Sequence, residues 1–224
     1  MKALVLTDDS NVKLPKYNKW KITWGRGIQI EKNPEFLSAL KQHDLPIPTN
    51  DIEHEDLYKK YLRDFSRPAK FMFAGMFTEV RLFADELKKT TPSEIIIISG
   101  RYGKIHEHDE IIPYDFFIET KKHLKTVDQQ FQLLKNLKAD LEGITHLIIF
   151  LPKFYIEYFI ENRWFDQIPQ KTQIIIVSSK DVENNLSKKQ QILVLKRKGV
   201  ARIGKENWIK ILKLFDDPKG REKK

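Results

Sequence analysis

Four consecutive β-branched residues, Ile95-Ile96-Ile97-Ile98, run straight into Ser99-Gly100-Arg101-Tyr102-Gly103. A strand of this kind has no polar face. It fits a sheet covered on both sides, as parallel sheets with helices on each face are. Lys2–Leu6, His146–Leu151, Gln173–Val177 and an edge-like Ile192–Leu195 read as further strands. Apolar residues at helical spacing lie between them: Phe77, Val80, Ala84 and Leu87; Val127, Phe131, Leu134 and Leu141; Trp208, Ile211, Leu212 and Phe215. Strands alternating with helices predict an α/β fold, a three-layer Rossmann-like domain around a mostly parallel central sheet.

A small helical insertion is expected over about residues 31–68. Asn33-Pro34 has the form of an N-cap followed by proline in the first turn. Asn50 with Glu53 resembles a capping box, and Tyr58, Tyr61, Leu62 and Phe65 follow at helical spacing. Thr126 with Gln129 suggests a second capping box. The whole reads as a single α/β domain over 1–215 with a disordered basic tail over 216–224.

No apolar run approaches the ~18 residues of a membrane span. The opening MKALVLTDDS turns acidic too soon for a signal peptide, so a cytoplasmic protein is expected. The absence of cysteine excludes disulfides, thiolate chemistry and cysteine-ligated metals. No cofactor is expected. His106 and His108 have a ligand-like spacing, but no third ligand stands in a fixed register, and no metal site is predicted.

Of the net charge of +9, residues 1–32 carry +4, residues 180–210 carry +6 and residues 211–224 carry +2, around a middle of about −3. If the chain ends meet, they form a basic face suited to phosphate backbones, with Lys180, Lys196, Arg197, Lys198 and Arg202 as candidate contacts. Trp20 and Trp24, interleaved with lysines, either stack bases or cover the core.

The strands at Lys2, Ile95, His146 and Gln173 all exit into polar residues, and ligands of open α/β sheets sit at such ends. Ser99, Gly100, Arg101, Tyr102, Gly103 and Lys104 are therefore candidate ligand contacts. The glycine turn offers backbone N–H groups to an anion, and Arg101 offers a bidentate fork. The turn is neither a P-loop nor a dinucleotide fingerprint. Asp8 and Asp9 at the first strand exit, with Asp115, are candidate acid/base carboxylates.

Ser99, Gly100, Tyr102, Gly103, Asp109, Ile111, Pro113, Tyr114 and Asp115 form a block that resembles the S-A/G-x-Y-G … I-x-P-Y-D pattern of YaaA-like proteins. The resemblance runs over about residues 70–214, with low similarity near 161–198. Lys104 departs from it, standing where the family has an apolar residue. It implies a fold similar to that of uracil-DNA glycosylases, a pocket facing a nucleobase that includes Pro113 and Tyr114, and a DNA-binding, stress-linked or nucleic-acid-modifying role. The expected function is a nucleic-acid-associated protein, binding DNA or RNA, with a base- or nucleotide-sized pocket. The alternative is an enzyme on a base or nucleoside, an N-glycosidase or base transferase. No membrane partner is expected.

Overall fold

The computed structural model describes residues 1–13, 27–178, 182–183, 186, 191–197, 199 and 201–216. Trp20, Trp24, Lys180, Lys198 and residues 217–224 lie outside them. Among the described residues the strands are β1 (Ala3–Asp8), β2 (Arg67–Pro68), β3 (Ser93–Ser99), β4 (Gly103–His106), β5 (Glu110–Ile111), β6 (His146–Phe150), β7 (Gln173–Ser178) and β8 (Ile192–Lys196). The helices are α1 (Pro34–Gln42), α2 (Glu55–Tyr61), α3 (Phe77–Leu87), α4 (Lys121–Phe131), α5 (Leu133–Ala139), α6 (Lys153–Glu161) and α7 (Lys205–Asp216).

Six strands form one sheet in the order β4-β3-β1-β6-β7-β8. The pairs β1–β6, β6–β7 and β7–β8 are parallel, with Val5 opposite Ile148 and Ile148 opposite Ile175. Only three residues separate β3 from β4, too few for the crossover that parallel strands need, so β4 returns antiparallel. The fold is thus the expected α/β type with a mostly parallel central sheet flanked by helices. No helix among the described residues is long and apolar enough to cross a membrane.

Internal contacts divide the chain into two compact units. The first comprises Met1–Thr7, Glu79–Ile96 and Leu134–Lys224. In it Phe83 meets the rings of Phe150 and Trp208 edge-on, at 5.2 and 5.4 Å. The Glu79 carboxylate accepts from the N–H groups of Ile203 and Gly204, just ahead of α7.

The second unit comprises Asp8–Thr78 and Ile97–Leu133 and contains the helical insertion. Asn33 caps α1 by accepting from Phe36 N–H, as its position before proline predicts. Phe36, Leu40, Tyr58, Leu62, Phe65 and Ile112 form the local core. The expected cap at Asn50 is corrected. Asp51 accepts from Thr49 N–H, and α2 begins only at Glu55. The cap expected at Thr126 is also corrected. Thr120 caps α4, and Thr126 lies inside the helix, its hydroxyl donating to Lys122 O. Gln132, at φ 50°, breaks this helix from α5.

Candidate functional site

The site lies within the second unit, where the end of β1 meets the end of β3. Asp9 N–H donates to Ile98 O at 2.9 Å. Beyond that point β3 must turn at once into β4, and the two glycines of the turn each answer a steric demand. A Cβ on Gly100 would stand 2.5 Å from Phe116 O. Gly103 has φ +70°, and a Cβ there would stand 2.5 Å from Phe131 Cβ.

Ser99 fixes the turn from inside. Its Oγ accepts from Arg101 N–H at 3.2 Å and Tyr102 N–H at 3.1 Å. The same oxygen lies 2.7 Å from Tyr114 Oη, which lies 2.5 Å from Asp9 Oδ2. Each hydroxyl has one proton. With two backbone donors already on Ser99 Oγ, its proton goes to Tyr114 and that of Tyr114 goes to Asp9. A directed chain, Ser99 to Tyr114 to Asp9, results. Gly100 N–H adds a long contact of 3.4 Å to the same carboxylate oxygen. The backbone donors expected to hold an external anion therefore point at the chain's own hydroxyl and carboxylate.

Asp9 is fully buried, and Asp8 is 1% exposed. Burial pushes the Asp9 carboxyl up to about 6; Lys13 and the Tyr114 hydroxyl oppose this, and Asp8 adds to it. Burial, with the Asp9 charge beside it, pushes the Tyr114 phenol well above its usual value. In the sequence Lys13 is one of the lysines that lead into Trp20 and Trp24. It is 2% exposed, and its Nζ sits 4.6 Å from the centre of the Tyr114 ring and 5.7 Å from that of Phe73. Among the described residues its Nζ has no hydrogen-bond acceptor. Burial lowers its ammonium to about 8, against the pull of Asp9 and Asp115. Between about pH 6 and 8 the site thus holds an Asp9 carboxylate beside a Lys13 ammonium. Both are near the acid/base balance that proton transfer at neutral pH requires.

Arg101 takes a different set of acceptors from the external phosphate expected of it. Its side chain is wholly buried. Nη1 donates to Asp51 Oδ1 at 2.5 Å and Thr49 O at 2.6 Å, and Nη2 and Nε both donate to Glu55 Oε2, at 2.8 and 3.1 Å. The guanidinium lies over the rings of Tyr58 and Tyr102. Tyr58 and Tyr102 donate in turn to Asp51 and Glu55. The Tyr58 and Arg101 hydrogen bonds outweigh the partial burial of Asp51 and hold its carboxyl below the usual range. Asp51, Glu55 and Tyr58 were missed as partners because the apparent capping box drew attention to Asn50 and Glu53.

Of the remaining candidates, Pro113 is buried, and Lys104 and Asp115 are half-buried. Asp115 N–H donates to Pro48 O, tying it to the connector before α2. Tyr114, expected to stack on a base, is fully buried with its ring edge-on to those of Tyr102 and Phe73. His106 N–H donates to Asp109, and no group of three or more metal-ligating side chains gathers among the described residues. The basic candidates belong to the other unit. There Lys196 is exposed and Arg197 is half-buried with Nε donating to Ala201 O. Arg202 is buried and donates to the Thr7 hydroxyl, so its fork faces protein rather than a phosphate backbone. The structure therefore gathers Asp8, Asp9, Ser99, Gly100, Arg101, Tyr102 and Tyr114 around one turn, and adds Lys13. Compared with known proteins, the chain matches no family model and no curated protein.

Proposed function

We propose that the protein is an enzyme acting on a nucleobase or nucleoside, alone or within a nucleic acid, by general acid–base chemistry at the N-glycosidic bond. The observation that carries this reading is the buried Asp9 carboxyl, poised at about 6 and fed by the Ser99–Tyr114 hydroxyl chain. Perturbed, buried and hydrogen-bonded carboxyls of this kind cluster at catalytic positions. Ionised at neutrality, Asp9 stabilises positive charge developing on the sugar or activates the attacking water. Tyr114 holds the carboxylate in place. The resemblance of the Ser99–Gly103 and Pro113–Asp115 block to YaaA-like proteins supplies the base as substrate class. The net charge of +9 favours a nucleic acid as its carrier.

Base release from nucleosides, single-stranded DNA, duplex DNA and tRNA tests the reading, with Asp9→Asn and Asp8→Asn as variants. Release by the wild type that falls at least about a hundredfold in Asp9→Asn is expected. Equal release by wild type and Asp9→Asn would reject Asp9. Steeply salt-dependent binding with no release from any substrate would leave a nucleic-acid-binding protein without chemistry, the reading that the exposed Lys196 and the overall charge favour.

A further inference from the structure

The Asp9 carboxyl is enclosed, and the residues that follow it in the chain help to enclose it. Lys13 N–H donates to Ile28 O at 3.0 Å, Ile28 N–H donates to Lys13 O at 2.8 Å, and Ala74 N–H donates to Val12 O at 2.9 Å. Lys13 is thus bridged to Ile28 on one side and to Phe73 on the other, by isolated antiparallel bridges rather than a ladder. The fit is close: a Cβ on Gly27 would stand 2.3 Å from Val12 Cγ1 and 2.4 Å from Ala74 Cβ. Ser10, Asn11, Val12 and Ile28 are half-buried, whereas Asp9, Phe73, Ala74 and Tyr114 are buried. Residues 10–13 therefore have solvent on one side and the site on the other.

What this segment carries inward is a charge. The Lys13 Nζ lies 4.6 Å from the centre of the Tyr114 ring and has no hydrogen-bond acceptor among the described residues. The ring faces, with the Asp9 and Asp115 carboxylates, offset only part of what an ammonium loses on leaving water, and its hold on the proton weakens accordingly, to about 8. Backbone bonds hold the segment shut while the cation that it buries favours its departure. A substrate reaches a fully buried carboxyl only when a covering piece moves, and this is a covering piece whose own side chain gains water by moving.

We infer that residues 10–13 form a strap over the Asp9 site that opens locally, taking Lys13 into solvent and baring the face of the Tyr114 ring and the Asp9 carboxylate to a substrate. Open, the ammonium regains its hydration, which offsets the backbone bonds that break. Closed, the strap keeps solvent from the carboxylate. The inference rests on the acid–base reading for the use of the opening, though not for the opening itself. Lys13 acts through the strap and is a positioning residue, not a catalytic one.

Amide hydrogen exchange of the full chain, followed by NMR at pH 7 in low and rising urea, tests the strap without any ligand. The amides of Lys13, Ile28 and Ala74 report on it. The Asp9 amide, bonded to Ile98 O, is the reference, because its partner is β3 rather than the strap. In the wild type the three strap amides are expected to exchange together, at least about tenfold faster than the Asp9 amide and with little dependence on urea, as local opening does. Lys13→Met keeps the backbone bonds and removes the charge, so the three should slow at least about tenfold. Strap amides that keep pace with the Asp9 amide as urea rises, or that exchange independently of one another, overturn the inference. So do strap rates in Lys13→Met within about twofold of wild type. The wild-type comparison decides by itself if the variant does not fold. Base release is measured on the same protein. The expected exchange with no base release from any substrate would sink the glycosidic reading and leave the strap standing; base release with strap amides that open only on global unfolding would do the reverse.

Discussion

The sharpest structural expectation concerns Arg101. Its guanidinium answers two carboxylates and the carbonyls of Thr49 and Asp51, and the Asp51 and Glu55 side chains are only 19% and 12% exposed. Arg101→Met keeps the alkyl stem against Tyr58 and Tyr102 while removing every donor. Two carboxylates are left without their cation in a poorly solvated place. Breaking a buried pair from one side costs about 3–5 kcal/mol, and the slight exposure of both acids argues for the lower end, about 3 kcal/mol. For a chain of this size that is a fall in Tm of roughly 6–12 °C. Arg101→Lys recovers part of it, because one ammonium cannot span both acids and Thr49 O. Urea unfolding of Arg101→Met, Glu55→Gln and the double variant gives the coupling directly; a value of at least about 1 kcal/mol is expected. The opposite pattern would refute the reasoning: Arg101→Met within about 0.5 kcal/mol of wild type, together with weaker nucleic-acid binding and a shallower salt slope. That is how an exposed phosphate clamp behaves.

Stability should trace a valley in pH. The Asp9 carboxyl rises from 3.8 to about 6, so between those values the native state keeps a proton that the unfolded chain has released, and stability falls as pH rises. The Lys13 ammonium drops from 10.5 to about 8, so in that window the unfolded chain keeps the proton and stability climbs with pH. Each limb is about 3 kcal/mol, and urea titrations near pH 4, 7 and 10 read them. Asp9→Asn should flatten the first and Lys13→Met the second; a profile that only rises would contradict the Asp9 assignment, and one that only falls the Lys13 assignment. Gly103→Ala combines a left-handed φ with a clash at Phe131, so a loss of about 2–4 kcal/mol is expected on thermal unfolding, and a loss below about 1 kcal/mol would mean that α4 yields freely. Tyr114→Phe removes the donor that steadies the Asp9 carboxylate. Difference infrared titration should show the Asp9 carboxyl staying protonated to higher pH than in wild type, and an unchanged midpoint would show that the hydroxyl chain does not govern it.

The sheet was legible because its signal is compositional and local. The runs at Ile95, His146, Gln173 and Ile192 are too apolar and too β-branched for anything but covered or edge strands, and they became β3, β6, β7 and β8. The helix starts were less legible. Thr126 and Gln129 satisfy a capping-box spacing that also occurs in the middle of a helix, whereas the actual cap, Thr120, has a histidine where an acid would have marked it. In the site, the SGRYG turn, Asp9 and Tyr114 were visible as types of residue, but not the direction in which each faces. Arg101 and Tyr114 look like ligand groups in a polar loop. Their partners lie 50 and 105 residues away, and only tertiary contact turns them inward. Lys13 stood out only as one of several lysines near Trp20 and Trp24, since its character comes from Phe73 and Tyr114 rather than from its neighbours in the chain.

The Arg101 cluster also bears on how this unit can change over time. The segment from Thr49 to Tyr58 has the look of a detachable surface addition. Cutting it out would strand a guanidinium inside the protein beside Tyr102, two residues beyond Ser99 at the end of β3. A shortened descendant must therefore alter the turn in the same step, and a graft of the turn onto another sheet must bring Asp51 and Glu55 along. What reads as a sheet motif plus an accessory hairpin of helices is inherited as one piece.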